Sequence, residues 1–251
     1  MKIIAIIPAR YNSTRFKGKP LADICGKPMI WWVYNTVIKV KRFNDVIIAT
    51  DDEKIARACS EFEMKYIMTS NKHPNHIYRI HELSEKIEAD LYVCVNGDEP
   101  LIEENAINKI INEDLISNEK PCVFGLMRNL EDPVETLDPD NIKIVTNKKN
   151  YSLYMSRSIV PFPKKNLLFK YKKYVGVEGF NKKALDFFVK TPQGILEKIE
   201  DIDHLRFIEN GISIKYSLIK SKSLSVDTPK DLEKVRRIIG KRLKNGEITN
   251  E

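Results

Sequence analysis

Four cations crowd one short stretch near the start of the chain. Ile6–Leu21 reads IIPARYNSTRFKGKPL, so Arg10, Arg15, Lys17 and Lys19 follow directly on an apolar run. Arginine grips phosphate oxygens in pairs, and lysine serves as a movable point charge. Neither G-x-x-x-x-G-K-[ST] nor G-x-G-x-x-G occurs in the chain, so no glycine-rich cradle of backbone N–H groups is on offer. Gly18 is the stretch's single glycine, and side-chain charge must do more of the phosphate work. Four cations suit a triphosphate better than a single phosphate. The same residues would also make an ordinary solvated basic loop, and only its place at the end of the first strand argues otherwise.

Two carboxylates complement the cations. Tyr92–Ile102 reads YVCVNGDEPLI, an apolar strand that ends in Asn96-Gly97-Asp98-Glu99-Pro100. A carboxylate at a strand's carboxyl end can hold Mg²⁺ against phosphate oxygens. Gly97 permits a tight turn and Pro100 stiffens the exit; as a plain turn the segment needs no metal. Leu224–Arg236 reads LSVDTPKDLEKVR. There Thr228 is placed as an N-cap, Pro229 at the first helical position and Asp231 at the third. Asp227 precedes the cap and could complete a metal site with Asp98.

Elements of the right kind surround these groups. Strand character falls on 2–7, 45–50, 65–69 and 90–96, and helical character on 29–40, 52–62, 78–87 and 104–112. Strand–helix alternation of this length predicts an α/β fold with a mostly parallel sheet flanked by helices. In such sheets ligands bind beyond the carboxyl ends of the strands, where residues 8–20, 50–52 and 97–100 fall. After about Lys120 the alternation loosens. Strands are expected at 121–129, 142–147, 151–155 and 174–180, as a mixed extension of the sheet or an arm that pairs with a second subunit. Helices are expected at 184–189, 197–209 and 229–243, and late strands at 213–219 and 222–226. The whole chain, 1–251, reads as one domain, with about 121–195 its acceptor and dimerisation part.

Composition narrows the classes. The 251 residues are 42% hydrophobic, enough for a sizeable core, and 42 Lys+Arg against 35 Asp+Glu give +7. That excess fits an anionic small molecule. It is modest for nucleic acid, no RNA-binding signature appears, and acidic residues are mixed among the basic ones. No apolar run approaches ~18 residues, so no membrane span is expected. Cys25, Cys59, Cys94 and Cys122 lack C-x-x-C spacing and read as reduced thiols of a cytoplasmic protein. His73, His76 and His81 lack a further ligand at zinc spacing, and Trp31-Trp32 reads as core or interface.

The segments IIPARYNSTRFKGKPLADICGKPMI, IIATDDEKIA, VNGDEPLI, YSLYMSRSIVPF and VDTPKDLEKVR, in this order, resemble the CMP-Kdo synthetases, cytidylyltransferases that activate 3-deoxy-manno-octulosonate (Kdo). The resemblance runs nearly end to end. It implies a Rossmann-related nucleotidyltransferase fold, a homodimer, Mg²⁺ as cofactor, and transfer of CMP from CTP to the sugar's anomeric hydroxyl with release of pyrophosphate. Position by position it implies that Arg10, Arg15 and Lys19 contact the CTP phosphates and that Ser13 and Thr14 shape their loop. It assigns Asp98 and Asp227 to Mg²⁺, Arg79 to the nucleotide side and Arg157 to the neighbourhood of the acceptor.

The departures from the family pattern cluster. H-x-S-G-T-[DE]-R is His73–Arg79 here, HPNHIYR; V-Q-G-D-E-P has Asn96 for its Gln; H-[LI]-G-[IV]-Y-[GA]-Y has Tyr174 for its His and Glu178 for its Tyr; L-E-Q-L-R has Asp203 and His204 for its Glu and Gln. These positions carry the family's acceptor-side groups, whereas the triphosphate and metal parts persist. A polar pocket rejects ligands that leave buried groups unpaired, often by ~10⁴-fold. The expectation is therefore CTP chemistry on an acceptor other than Kdo. Glu178 could pair with an ammonium, and Lys164, Lys165, Lys170, Lys172 and Lys173 could attract a phosphate. Phosphoglutamine, the acceptor of a related enzyme in capsule phosphoramidate synthesis, fits both features and would give CDP-glutamine. Authentic Kdo or amino-Kdo transfer is the alternative, and a non-catalytic CTP-binding protein the rival of another class.

Overall fold

The computed structural model describes residues 1–12, 16–117, 119–165, 169–221 and 223–250. In chain order the elements are β1 (Ile3–Ala9), β2 (Asp23–Ile24), β3 (Lys27–Pro28), α1 (Met29–Val37), β4 (Asp45–Thr50), α2 (Glu53–Glu61), β5 (Tyr66–Met68), α3 (His76–Lys86), β6 (Leu91–Val95) and α4 (Glu104–Asn108). There follow β7 (Val123–Asn129), α5 (Pro133–Leu137), β8 (Lys143–Thr146), β9 (Ser152–Ser156), β10 (Lys172–Phe180), α6 (Lys182–Lys190), α7 (Ile195–Glu200), α8 (Leu205–Glu209), β11 (Lys215–Ile219) and α9 (Pro229–Lys244).

Alternate residues of a strand face opposite sides of a sheet. In β1 both sides are apolar: Ile3, Ala5 and Ile7 join one core, while Ile4 and Ile6 join the other. A strand buried on both faces needs helices above and below it, which is the parallel α/β arrangement. The principal sheet accordingly runs β11-β7-β10-β6-β1-β4-β5. Strands β6, β1, β4 and β5 are parallel. β10 lies antiparallel between β6 and β7, and β8 and β9 continue from it. The mixed extension thus belongs to the same sheet, because β10 of the later part sits against β6 of the earlier one.

Local chemistry sets the helix starts. The Asp52 carboxylate accepts from Lys54 N ahead of α2, and Asn75 Oδ1 accepts from Ile77 N and Tyr78 N ahead of α3. Thr228 and Asp231 form a full capping box at α9, with Pro229 at the first helical position. Trp31 and Trp32 are buried edge to edge, and the Trp32 indole N–H donates to Ile24 O.

Three expectations are corrected. The helix expected at 104–112 ends at Asn108. Residues 197–209 are not one helix: Asp201 adopts φ 52, which ends α7, and α8 begins at Leu205. Residues 223–226 form no strand, because the Ser223 and Ser225 hydroxyls turn to Glu99. All four cysteines are free, three of them buried and Cys25 half-buried. No helix among the described residues is long and apolar enough to cross a membrane.

Candidate active site

Strands β1 and β6 are parallel neighbours, so the segments after Ala9 and Val95 emerge side by side. Gly97 makes this approach possible. A Cβ there would stand 3.0 Å from Ile30 Cδ1 and 3.1 Å from Pro8 O. Gly18, at φ 71, turns the basic loop back so that its N–H donates to Tyr11 O. Lys19 then points across the gap. Its Nζ lies 2.6 Å from Asp98 Oδ2, 2.8 Å from Val226 O and 3.7 Å from Asp227 Oδ1. The Val226 N–H donates to Asp98 O at 2.9 Å, which brings the segment before α9 to the same place. Two aspartates 129 residues apart in sequence (227 − 98) thus share one ammonium.

Arg10 stands on the same wall. Nη1 donates to Pro74 O at 3.3 Å, while Nη2 is buried with no partner among the described residues. Burial, with Arg79 close by, pulls its guanidinium pKa below the ordinary value. A buried donor with nothing to bond is costly, and an anionic ligand would satisfy it. A cavity of about 440 Å³ opens here, lined by Arg10, Asn12, Lys19, His76, Asn96 and Asp98 among others. A second, of about 640 Å³, shares Asn96 and Asp98 and is lined also by Lys173, Tyr174 and Asp227.

The diverged positions form a polar set around the buried Glu178, with His76 and Tyr174 reaching the cavity walls. Glu178 is fully buried; Tyr174 OH donates to its Oε1, and His76 Nε2 lies 3.0 Å from its Oε2. His204 Nε2 lies 3.3 Å from Oε1, close enough for ion pairing but out of hydrogen-bond alignment. Burial alone would raise the Glu178 carboxyl, yet His204 and His76 hold it well below the usual range. Burial alone would lower His76, and Glu178 followed by Asp203 raises it. Burial and then Glu178 push the Tyr174 hydroxyl well up, so it stays a neutral donor. Asp203 accepts from Asn75 Nδ2 at 2.8 Å and stands 3.9 Å from His76 Nδ1.

The sequence-predicted residues divide accordingly. Arg10, Lys19, Asn96, Asp98, Tyr174 and Asp227 line the two cavities. Ser13, Thr14 and Arg15 lie outside the described residues. Arg79 is fully buried, donates to Asp51 and Thr69 just past the ends of β4 and β5, and lines neither cavity. Arg157 is clamped away from both, donating to Glu200 O, Asp201 O and Pro139 O. Glu178 has its oxygens facing Tyr174 and two histidines and is fully buried, so it is not open to the ammonium expected from the sequence. The lysine stretch also divides: Lys164, Lys165 and Lys170 line a separate cleft, while Lys173 is buried at the larger cavity and donates to Asn141. The three histidines of the zinc idea go to three carboxylates, Glu82, Glu178 and Asp186. Sequence reasoning missed Asn12, Asn75 and His76 as cavity-lining residues; the available signal was the N-cap that starts α3 at the sheet's ligand edge.

Comparison with known proteins identifies the family. A cytidylyltransferase family model matches residues 4–215. The chain belongs to the cytidylyltransferase family. A 3-deoxy-manno-octulosonate cytidylyltransferase of Thermodesulfovibrio yellowstonii is 40% identical over 248 residues, covering 93% of this chain and 96% of that protein. The enzyme of that name from Escherichia coli is 34% identical over 242 residues, covering 96% and 98%. The solved structure of CMP:2-keto-3-deoxy-manno-octonic acid synthetase complexed with CTP superposes at a TM-score of 0.90, with 34% identity and coverage of 96% of this chain and 100% of that one. This cytidylyltransferase is therefore a nucleotidyltransferase enzyme that uses CTP, and its fold is the mixed α/β nucleotidyltransferase fold. The relatives' names carry Kdo. The expectation of another acceptor finds no support among them, whereas its alternative does.

Proposed function

We propose that the enzyme seats the CTP triphosphate against Arg10 and Lys19 and passes CMP to a small anionic acceptor. An acceptor oxygen attacks the α-phosphorus, the α–β P–O bond breaks, and pyrophosphate leaves. The observation that carries this reading is the meeting of Arg10 and Lys19 with Asp98 and Asp227 beyond β1 and β6. Asp98 and Asp227 are the residues that would hold Mg²⁺, and the fit is chemical: hard carboxylate oxygens already share one cation, the Lys19 ammonium. A bound Mg²⁺ would offset charge on the phosphate oxygens. Lys19 and Arg10 do the same from fixed positions, where donors need little reorganisation as charge develops.

On the relatives' names, Kdo is the first acceptor. A second reading, phosphoglutamine, is favoured by one observation: a His76–Glu178–His204 set, its carboxylate fully buried, occupies positions where the family pattern carries neutral side chains. The test is pyrophosphate release with Mg²⁺, each of the four nucleoside triphosphates, and Kdo, 8-amino-Kdo, sialic acid or phosphoglutamine. Turnover only with CTP and Kdo supports the first reading, and turnover with phosphoglutamine the second. CTP binding without turnover by any acceptor would leave only a nucleotide-binding protein. A homodimer would cover the exposed Val134, Leu137, Leu153 and Phe162 of the 121–195 part, and sedimentation reads its mass.

A further inference from the structure

Asp227 lies on a segment that the sheet does not hold. Residues 223–227 pair with no strand, yet Asp227 must stand at a fixed distance from Asp98 if both are to grip one ion. Next to Asp98, Glu99 is buried to 3% exposure. Its Oε1 accepts from Ser225 Oγ at 2.6 Å and from the Gly176 N–H at 3.4 Å, and its Oε2 accepts from the Ser223 hydroxyl. One carboxylate therefore joins three pieces of chain: the turn after β6 with Asp98, the β10 strand with Tyr174, and the segment with Asp227.

The two serines are spaced by two residues, which puts both hydroxyls on one side of an extended chain. Each bonds a different oxygen of Glu99, so the carboxylate holds the segment at two points. Other ties hold the segment as well: Ser223 N donates to Ser221 Oγ at 3.0 Å, Val226 is fully buried in the core, and Val226 N to Asp98 O and Lys19 Nζ to Val226 O lie closer to Asp227. A buried carboxylate costs free energy unless its lone pairs are filled, and here the filling groups all come from segments that carry site residues.

We propose that Glu99 is a positioning residue: by tethering Ser223 and Ser225 it sets the Asp98–Asp227 separation and hence the grip on the metal–nucleotide complex. This rests on the function proposed above. It assigns Glu99 no contact with substrate, only control over where Asp227 stands.

The experiment compares the whole protein with Glu99→Ala, Glu99→Gln and Ser223→Ala/Ser225→Ala. Mn²⁺ binding in the presence of CTP and without acceptor is read by electron paramagnetic resonance. CTP binding in EDTA is read by calorimetry, and amide exchange is followed over 223–227. Glu99→Ala should lose about 10-fold or more in Mn²⁺ affinity, the range seen when outer partners of metal ligands are removed. It should exchange faster at 223–227 and keep its metal-free CTP affinity, with kcat falling more than KM. Glu99→Gln can still bond both hydroxyls, so it should recover most of the Mn²⁺ affinity. The double serine variant leaves the buried Glu99 in place and should repeat the loss, which covers a Glu99→Ala chain that fails to fold. Wild-type Mn²⁺ affinity in the folded Glu99→Ala or double serine protein overturns the proposal. So does equal loss of metal-free CTP binding, which marks a general structural role. If the wild type itself binds no Mn²⁺ with CTP, the reading of the site fails, and the metal role of Glu99 fails with it.

Discussion

Replacing Lys19 by methionine keeps the side chain's apolar stem and deletes its charge. Lys19 Nζ stands 2.6 Å from Asp98 Oδ2 and 3.7 Å from Asp227 Oδ1, with side-chain exposures of 13%, 25% and 29% respectively. Breaking a fully buried pair costs about 3–5 kcal/mol. Solvent at this cleft screens part of that, so about 2 kcal/mol is expected for Lys19→Met. At the ~2–4 °C per kcal/mol of a domain this size, the melting midpoint should fall by ~4–8 °C. A cation supplied from outside can stand in for the ammonium between the two aspartates. The deficit in midpoint should therefore shrink when Mg²⁺ and CTP are added. Catalysis should suffer more on the function proposed above, in which Lys19 meets the phosphates: loss of one fixed charge-stabilising donor typically costs ~10²–10³-fold. The assays are differential scanning fluorimetry with and without Mg²⁺–CTP, and pyrophosphate release. A midpoint equal to wild type with kcat/KM within about 3-fold of it would refute both the electrostatic coupling and the phosphate role, at odds with that donor magnitude.

Stability should peak in mildly acidic solution because of the buried set around Glu178. The Glu178 carboxyl is held well below its unfolded 4.5, so its contribution is present above that value and lost as pH falls through the folded one. His76 is raised above 6.5, so its contribution is present below 6.5 and lost as pH rises through the folded value. Both act together between 4.5 and 6.5, and Glu178→Gln should flatten both flanks of a midpoint-versus-pH profile. Profiles that run parallel would dismiss this coupling. Elsewhere, Arg206 and Glu197 are buried to 1% and 2% exposure, with Nε to Oε2 at 2.7 Å and Nη2 to Oε1 at 2.6 Å. Arg206→Met strands a buried carboxylate and should cost about 3–5 kcal/mol in denaturant unfolding; a loss under ~1 kcal/mol would contradict the burial argument.

What the sequence revealed depended on the range of the interaction behind each feature. Strands β1, β4 and β6 were legible because burial on both faces leaves near-continuous apolar runs. The starts of α2 and α9 were legible because Asp52 and Thr228 bond their own next turn. The helix expected at 197–209 failed for a local reason that periodicity does not register. Apolar residues continue through Leu196, Ile199, Ile202 and Leu205, but the backbone leaves the helical region at Asp201. The strand expected at 222–226 failed for a long-range reason, since the Ser223 and Ser225 hydroxyls bond Glu99 across 124 and 126 positions. The site shows the same division. Arg10, Lys19, Asp98 and Asp227 could be placed at the ligand edge by their relation to strand ends and the α9 cap. That Arg79 would bond Asp51, or Arg157 the Glu200 carbonyl, depends on partners that only the folded chain brings together.

The acceptor question turns on a proton. Glu178 and Asp203 favour the charged form of His76 at the cavity wall, and an imidazolium has no lone pair to accept a proton. If Kdo is the acceptor, its anomeric hydroxyl must lose a proton during attack, and His76 in that form cannot take it. The base would have to be solvent or a group made effective by a metal ion. If the nucleophile is a phosphate oxygen, it arrives already anionic, and the protonated form of His76 that Glu178 and Asp203 favour helps to hold it. The two readings therefore make opposite demands on one residue. His76→Asn removes the charge and keeps a polar side chain. It should leave Kdo turnover within a few-fold, whereas a phosphorylated acceptor should lose apparent affinity, by ~10-fold for a charge-assisted hydrogen bond worth about 1.5 kcal/mol. A His76→Asn enzyme that handles every acceptor as wild type does would show that the Glu178 set governs stability alone.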